Sequence, residues 1–405
     1  MFRQVGYNVN SSLTFGEGVV LVQSICDFIK ESERYEDELV GVEMEDKGDE
    51  SQEESPYSPD DVRISQHMYS VYQVYHWIEN GVLTLSPEFQ RKLVWDVQRK
   101  SLLIESLMLK IPIPAFYFQE NQEGDKLVID GLQRLSTIYS YMNDEFELKG
   151  LQYLNMYNGF CYSRLPRKYK TRIEETQMAV NVLDSRCHEL VKFDVFRRVN
   201  TGGIPLNSQE IRNIMATEET RCLLNAMSGS AEFIKATRGK VKDLRMDAQE
   251  LCLRFITFYL RYNPEPGKLE HLKSLTRMMD ETLLELNTLE WQETVKFIEL
   301  FKNSMEKCYA LLGDAAFSKE GLSHIINKPL FICWSVIMAN CTLDSQVLKN
   351  RQSDARELQY QYFGQGKYYN AITSSTATKK NMELQFEGVR KILEELFYDR
   401  AISIN

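Results

Sequence analysis

A chain of 405 residues is longer than one average core, which predicts two packed units or one enlarged domain. Hydrophobic residues at 43% and charged residues at 26% exclude a mostly disordered chain, a collagen-like repeat and a coiled-coil rod. The net charge of −10 is unevenly placed: residues 31–61 hold fourteen acidic and two basic residues, a net of −12, so the remainder sums to +2.

Residues 1–62 read as an N-terminal extension. Its apolar run VVLVQSICDFI suits a short helix or strand, and the acidic segment 31–61 has too few large apolar residues to offset its ordering entropy, so a mobile acidic linker is predicted. Gln66–Asn80 reads as a helix ending at Gly81, followed by a short strand Val82–Leu85. From Asp96, apolar residues at helical spacing run to Met108, and Pro112 and Pro114 stop that helix. Strands follow at Ala115–Phe118 and Lys126–Ile129, a helix after Gly131, a strand at Met178–Leu183 and a helix face at Val191, Val195, Phe196 and Val199. After Asn207 helical periodicity dominates, over 208–215, 247–262, 272–286, 290–312, 330–340 and 381–398. The fold class is therefore α+β, with a mixed module over 63–205 and an all-helical module over 206–405.

The longest apolar stretch, Pro329–Cys341, falls short of the roughly 20 residues of a membrane helix and contains Ser335 and Asn340, so no membrane association is predicted. The N-terminus lacks the apolar core of a secretory signal, and the eight cysteines include no CxxC pair, which together predict a cytoplasmic location with reduced, mostly buried thiols.

Three stretches carry chemistry. In VIDGLQRLSTIYSYM, 128–142, a strand ends in Asp-Gly and turns directly into a helix, which places backbone N–H groups and the positive end of a helix dipole at one point suited to a phosphate. Arg134 offers a planar fork, Gln133 an amide, and Asp130 a carboxylate for a metal or for orienting the arginine. Asp130 capping the helix, with Arg134 paired to it, accounts for the same residues. In FRRVNTGGIPLNSQEIRN, 196–213, Gly202-Gly203 ends one helix and Asn207 with Glu210 forms a capping box for the next, leaving Arg197, Arg198 and Asn200 at a helix end. In the third stretch, 86–114, Gln90 and Arg91 precede a helix capped by Asp96, with Trp95 anchoring the loop.

The ordered runs PEFQRKLVW, LLIESLMLKIPIPAFYF, VIDGLQRLSTIYSYM, FRRVNTGGIPLNSQEIRN and RMDAQELCLRFITFYL resemble the N-terminal domain of GmrSD-type modification-dependent restriction enzymes and of the phosphorothioate-sensing SspE proteins, over roughly 63–400. The resemblance implies a ParB/sulfiredoxin-like nucleotide-binding fold whose DGQQR motif serves NTP binding and hydrolysis in anti-phage defence. That motif falls on Asp130, Gly131, Leu132, Gln133 and Arg134, the family's QR element on Gln90 and Arg91, and its F-x-R-x-N element on Phe196, Arg198 and Asn200. The reading that follows has Asp130, Gln133 and Arg134 as catalytic residues, and Gln90, Arg91, Gly131, Arg198 and Asn200 as nucleotide contacts. Mg²⁺ would bridge the phosphates without dedicated protein ligands.

Two departures from the family pattern bear on function. Leu132 replaces an amide with a side chain that makes no hydrogen bond, so binding is expected to survive better than hydrolysis. No histidine follows His324, which sits in an apolar context read as helical, so an HNH nuclease centre is not expected and a separate chain would supply any nuclease. The alternative reading is a non-enzymatic nucleic-acid-binding or adaptor protein, resting on the basic strip 163–172. Arg164, Arg167, Lys168 and Lys170 could there neutralise DNA phosphates while Tyr169 stacks on a base. Nuclease activity of the fold itself ranks last, because no metal-spaced carboxylates or histidines lie near the motif.

Overall fold

The structure, a computed structural model, describes residues 41–43, 57–85, 95–199, 206–241, 243, 245–265, 267–319 and 325–398. It divides into two compact units, Glu54–Met215 and Ala216–Asn405, the second joined by Met1–Glu53. The α+β class holds. Of the short strands, β1 (Gly41–Val42) belongs to the second unit.

The first unit is built on β2 (Ile64–Ser70), β3 (Leu83–Thr84), β4 (Phe116–Glu120), β5 (Lys126–Asp130) and β6 (Gln177–Leu183), in the order β2-β6-β4-β5-β3. β2 and β6 are antiparallel, β6 and β4 parallel, β4 and β5 antiparallel, and β5 and β3 parallel. Four helices, α1 (Val71–Glu79), α2 (Val97–Leu109), α3 (Leu132–Met142) and α4 (Arg167–Glu175), share one core with the sheet. Phe116 and Phe118 of β4, Val128 of β5 and Met178, Val180 and Val182 of β6 enter that core at every second position, as pleating requires. Ile129, one step out of phase with Val128, is also buried, and α5 (Glu189–Val199) packs against its strand. α6 (Ser208–Met215) packs on α5 and so stays with the sheet unit, opened by the capping box in which Asn207 and Glu210 exchange bonds of 2.7 and 2.8 Å.

The single helix expected over 66–80 is two elements. Residues 64–70 pair in full with β6, and Ser70 caps α1 by accepting the Gln73 N–H. β2 is exposed along most of its length, so it shows none of the apolar alternation that would have marked it as a strand.

In the second unit, ten helices run among the described residues: α7 (Glu218–Ser228), α8 (Ala231–Ala236), α9 (Asp247–Tyr259), α10 (Leu275–Leu286), α11 (Trp291–Leu312), α12 (Lys328–Ala339), α13 (Ser345–Lys349), α14 (Gln352–Phe363), α15 (Gly366–Thr373) and α16 (Lys379–Leu396). α12 is apolar on every side and buried, with α9, α11 and α16 against it. Burial in this unit pushes the thiols of Cys252, Cys308 and Cys333 up. The unit is not purely helical: β7 (Tyr262–Asn263) pairs with β8 (Lys268–Leu269), and β9 (Ile325–Ile326) with β1.

That last pairing corrects one expectation and bears on a second, the acidic segment, of which 31–40 and 44–56 lie outside the described residues. Ile325–Ile326 is a strand, not part of a helix, and His324 lies outside the described residues. The acidic segment is fastened at Glu43: its N–H bonds to Ile326 O at 2.9 Å, and its carboxylate accepts from Asn327 at 2.6 Å and pairs with Lys319. At its other end Pro59–Asp61 forms a 3-10 turn whose Asp61 carbonyl accepts from Cys187 Sγ. A partnered carboxylate and a strand ladder hold residues 41–43. No described helix is long and apolar enough to cross a membrane.

Candidate functional site: the strand-to-helix turn at Gly131

β5 carries the chain to Asp130, and Gly131 turns it into α3 with φ +102° and ψ 8°. Only glycine adopts this geometry without strain, and a Cβ here would lie 2.2 Å from Cδ1 of the fully buried Phe116. The same residue is the N-cap of α3, so no side chain closes the first turn. A helix start of this kind, with dipole and N–H groups directed outward, suits an anion. Asp130 therefore does not cap the helix.

Asp130 instead pairs with Arg134, at 2.8 Å, across one helical turn. The same Nη2 donates to Ala115 O at 3.1 Å, Nη1 donates to Pro114 O, and the guanidinium lies 4.3 Å over the ring of Phe116. Three of the five N–H donors are thus committed to tying the start of β4 to α3. Burial lowers the Arg134 pKa, against the opposing pull of Asp130, and the group still carries its charge. Leu132 is half-buried against the core, which gives the apolar residue at this position a packing role. Gln133 is half-buried in the first turn, and its carbonyl accepts from Thr137 at 2.7 Å.

Arg198 is exposed in the last turn of α5, the helix that packs against β5. It lies near Tyr57, whose hydroxyl donates to Asp194 at 2.5 Å, and Asp194 also pairs with Arg197 at 3.2 Å. Burial and the Asp194 bond push the Tyr57 phenol up to about 12, while the Arg198 charge works in the opposite direction. Gln90, Arg91, Asn200 and Gly202-Gly203 lie outside the described residues. No group of three or more His, Cys, Asp or Glu able to hold a metal occurs among the described residues.

The basic strip spans a 3-10 turn (Tyr162–Arg164) and the start of α4. Arg164, Arg167 and Lys168 are exposed, and Lys170 donates to Ser163 O at 2.7 Å. Tyr169 faces inward: its ring meets that of Tyr157 at 5.0 Å, with Arg172 at 5.6 Å. The two rings meet at 66°, an edge-to-face contact, and Tyr169 is half-buried.

Sequence reading passed over two residues here. Phe116 carries the Arg134 guanidinium and makes glycine necessary at 131, a dependence between positions fifteen apart that no spacing rule contains. Glu105 is 3% exposed within α2 and accepts the N–H groups of Gln152, Tyr153 and Leu154 at 3.0, 2.8 and 2.8 Å. A charged residue among the leucines of LLIESLML was its one available signal.

The first unit is thus a mixed α/β sheet domain in which a glycine-hinged turn and an internal Asp–Arg pair order the start of a helix. Residues 71–215 match the model of the family described as GmrSD restriction endonuclease, N-terminal domain. The match ends where the compact unit ends, and the run RMDAQELCLRFITFYL at 245–260 lies beyond it. The match points to a component of a restriction-type defence system. No curated protein and no solved structure matches the chain.

Proposed function

We propose that the unit over 54–215 binds a nucleoside triphosphate at the Gly131 turn and serves as the nucleotide-handling part of a cytoplasmic, DNA-directed defence system whose nuclease is a separate chain. The observation that carries this is the helix start at Gly131, whose N-cap has no side chain to close the first turn and which Arg134 ties to β4 and to Asp130.

In this reading phosphate oxygens meet the first turn of α3, and Gln133 orients a water or the sugar. Arg134 acts mainly by fixing the turn and adds its positive charge from below. Arg198, Gln90, Arg91 and Asn200 would be the further nucleotide contacts that the family resemblance implies. Mg²⁺ supplied with the nucleotide would neutralise phosphate charge, since no group of three or more His, Cys, Asp or Glu able to hold it occurs among the described residues. Leu132, packed on the core, offers no hydrogen bond to an attacking water, so the hydrolytic step is the slower half of the reaction.

The test is a thermal-shift and phosphate-release panel of ATP, GTP, CTP and UTP with Mg²⁺, on the wild type and on Gln133→Ala and Arg198→Ala. These two residues are preferable to Arg134, whose loss would disturb the turn itself. A nucleotide at a hundredfold excess over its Kd stabilises by about 2.7 kcal/mol. Loss of that stabilisation in both variants supports the site, and four nucleotides without effect on the wild type would remove it.

A further inference from the structure

From Leu148 to Ile173 the chain has six basic residues and no acidic one, within a protein of net charge −10. The same stretch exposes two large apolar side chains, Tyr153 and Met156, each 73% exposed. They do not sit on a loose loop. The buried Glu105 carboxylate holds the three N–H groups of 152–154, Leu151 N–H bonds to Asn158 Oδ1 at 3.1 Å, and Lys149 N–H bonds to Ser101 Oγ at 2.9 Å. Tyr153 is therefore presented to solvent from a fixed backbone, which lowers the ordering cost of any contact it makes.

The basic residues lie alongside. Arg172 of α4 donates to Met108 O at 3.0 Å, one turn along α2 from Glu105, and Tyr157 packs on Tyr169, so the loop and α4 lie side by side on α2. Arg167 and Lys168 are exposed in the first turn of α4, which contains no acidic residue. Cations at that end oppose the helix dipole and cost stability, while dipole and side chains together attract an anion. Arg164 is 64% exposed and touches Glu147 only at 3.8 Å, a surface pair of little strength.

We propose that Tyr153, Met156, Arg164, Arg167 and Lys168 form a binding face for single-stranded nucleic acid, with the cations along the phosphodiester backbone and Tyr153 stacked on an unpaired base. Bases in a duplex are already stacked on each other and have no face to offer Tyr153, which favours the single strand. The face is separate from the Gly131 turn and does not depend on nucleotide binding there.

Fluorescence anisotropy of a labelled dT12 oligonucleotide, and of U12 as the ribose counterpart, with the full chain in low salt tests this. A dT12 duplexed with dA12 and a poly-glutamate peptide serve as competitors. Tyr153→Ala should weaken single-strand binding roughly 5- to 100-fold while Tyr153→Phe keeps it. Arg167→Glu with Lys168→Glu should weaken it at least tenfold and reduce the slope of log K against log salt by about 1.4. Both sites are exposed, so circular dichroism should show the variants folded. Absence of single-strand binding by the wild type, indifference to Tyr153→Ala, or equal competition by duplex or poly-glutamate would overturn the proposal. Tighter binding of dT12 than U12, or the reverse, identifies which strand the face takes.

Discussion

An alanine at position 131 would have to hold φ near +102° and place its Cβ 2.2 and 2.8 Å from Cδ1 and Cε1 of Phe116. The backbone share of the cost is roughly 1–3 kcal/mol for a non-glycine residue outside its favoured regions. Overpacking a fixed core adds roughly 1–3 kcal/mol. Phe116 is fully buried and lies under the Arg134 guanidinium at 4.3 Å, so its ring has no easy way to yield. About 4 kcal/mol is the expected total for Gly131→Ala, a shift of about 2 M in the urea midpoint for a domain with a slope near 2 kcal/mol/M. Urea unfolding followed by fluorescence measures it. Pairing the change with Phe116→Leu separates the two shares, because the smaller side chain removes the overlap and leaves the backbone strain. The double variant should be more stable than the sum of the singles predicts by at least about 1 kcal/mol. A Gly131→Ala protein within about 1 kcal/mol of wild type, or strictly additive variants, would refute the reasoning that Phe116 dictates the turn.

Arg134→Lys keeps the charge but loses the fork that reaches Pro114, Ala115 and Asp130 together, and should cost about 2 kcal/mol in thermal melts. A lysine variant melting with the wild type would show that the clamp contributes nothing. Glu105→Gln keeps the shape but leaves one accepting oxygen where there were two, so at least one of the three N–H groups loses its acceptor and the rest lose the charge; it should cost about 2 kcal/mol and speed amide exchange at 152–154 above all other sites. Unchanged exchange there would mean the loop is held by other contacts. Glu387 accepts from Lys391 at 3.0 Å, Tyr368 at 2.9 Å and Lys367 at 3.3 Å. Desolvation pushes its carboxyl up, but these bonds prevail and bring it down to about 2, from 4.5. A depressed carboxyl stabilises the fold fully above its unfolded value and progressively less as pH falls from about 4.5 to 2. Glu387→Gln should flatten the fall in melting temperature over that window, and an unchanged slope would assign the acid sensitivity elsewhere.

Local chemistry was enough to locate several pieces of this protein. Strand propensity followed by Asp-Gly and then helical spacing marked the β5 to α3 turn, because a glycine between two periodicities has few other uses. Asn207 and Glu210 announced their capping box, and α12 announced its burial, since both depend on residues within one or two turns. The expected pairing of Arg134 with Asp130 likewise needed only one helical turn.

What the sequence could not contain were relations across the sheet and between distant loops. β2 became a strand because β6 lies beside it, although its own residues are exposed and carry no alternation. Tyr169 reads as part of an exposed basic strip, yet folding brings Tyr157, twelve residues earlier, edge-to-face against its half-buried ring. Glu43 lost the freedom expected of an acidic run once Ile326 and Asn327 supplied a strand and a donor. By itself the sequence determined where the chain turns, which helices are amphipathic and which residues carry charge, because those follow from neighbours within a few positions. Only the tertiary structure decided that Arg134 braces a turn, that Glu105 holds Tyr153 in solvent and that Phe116 demands a glycine, because each joins groups that folding alone brings within a few ångströms.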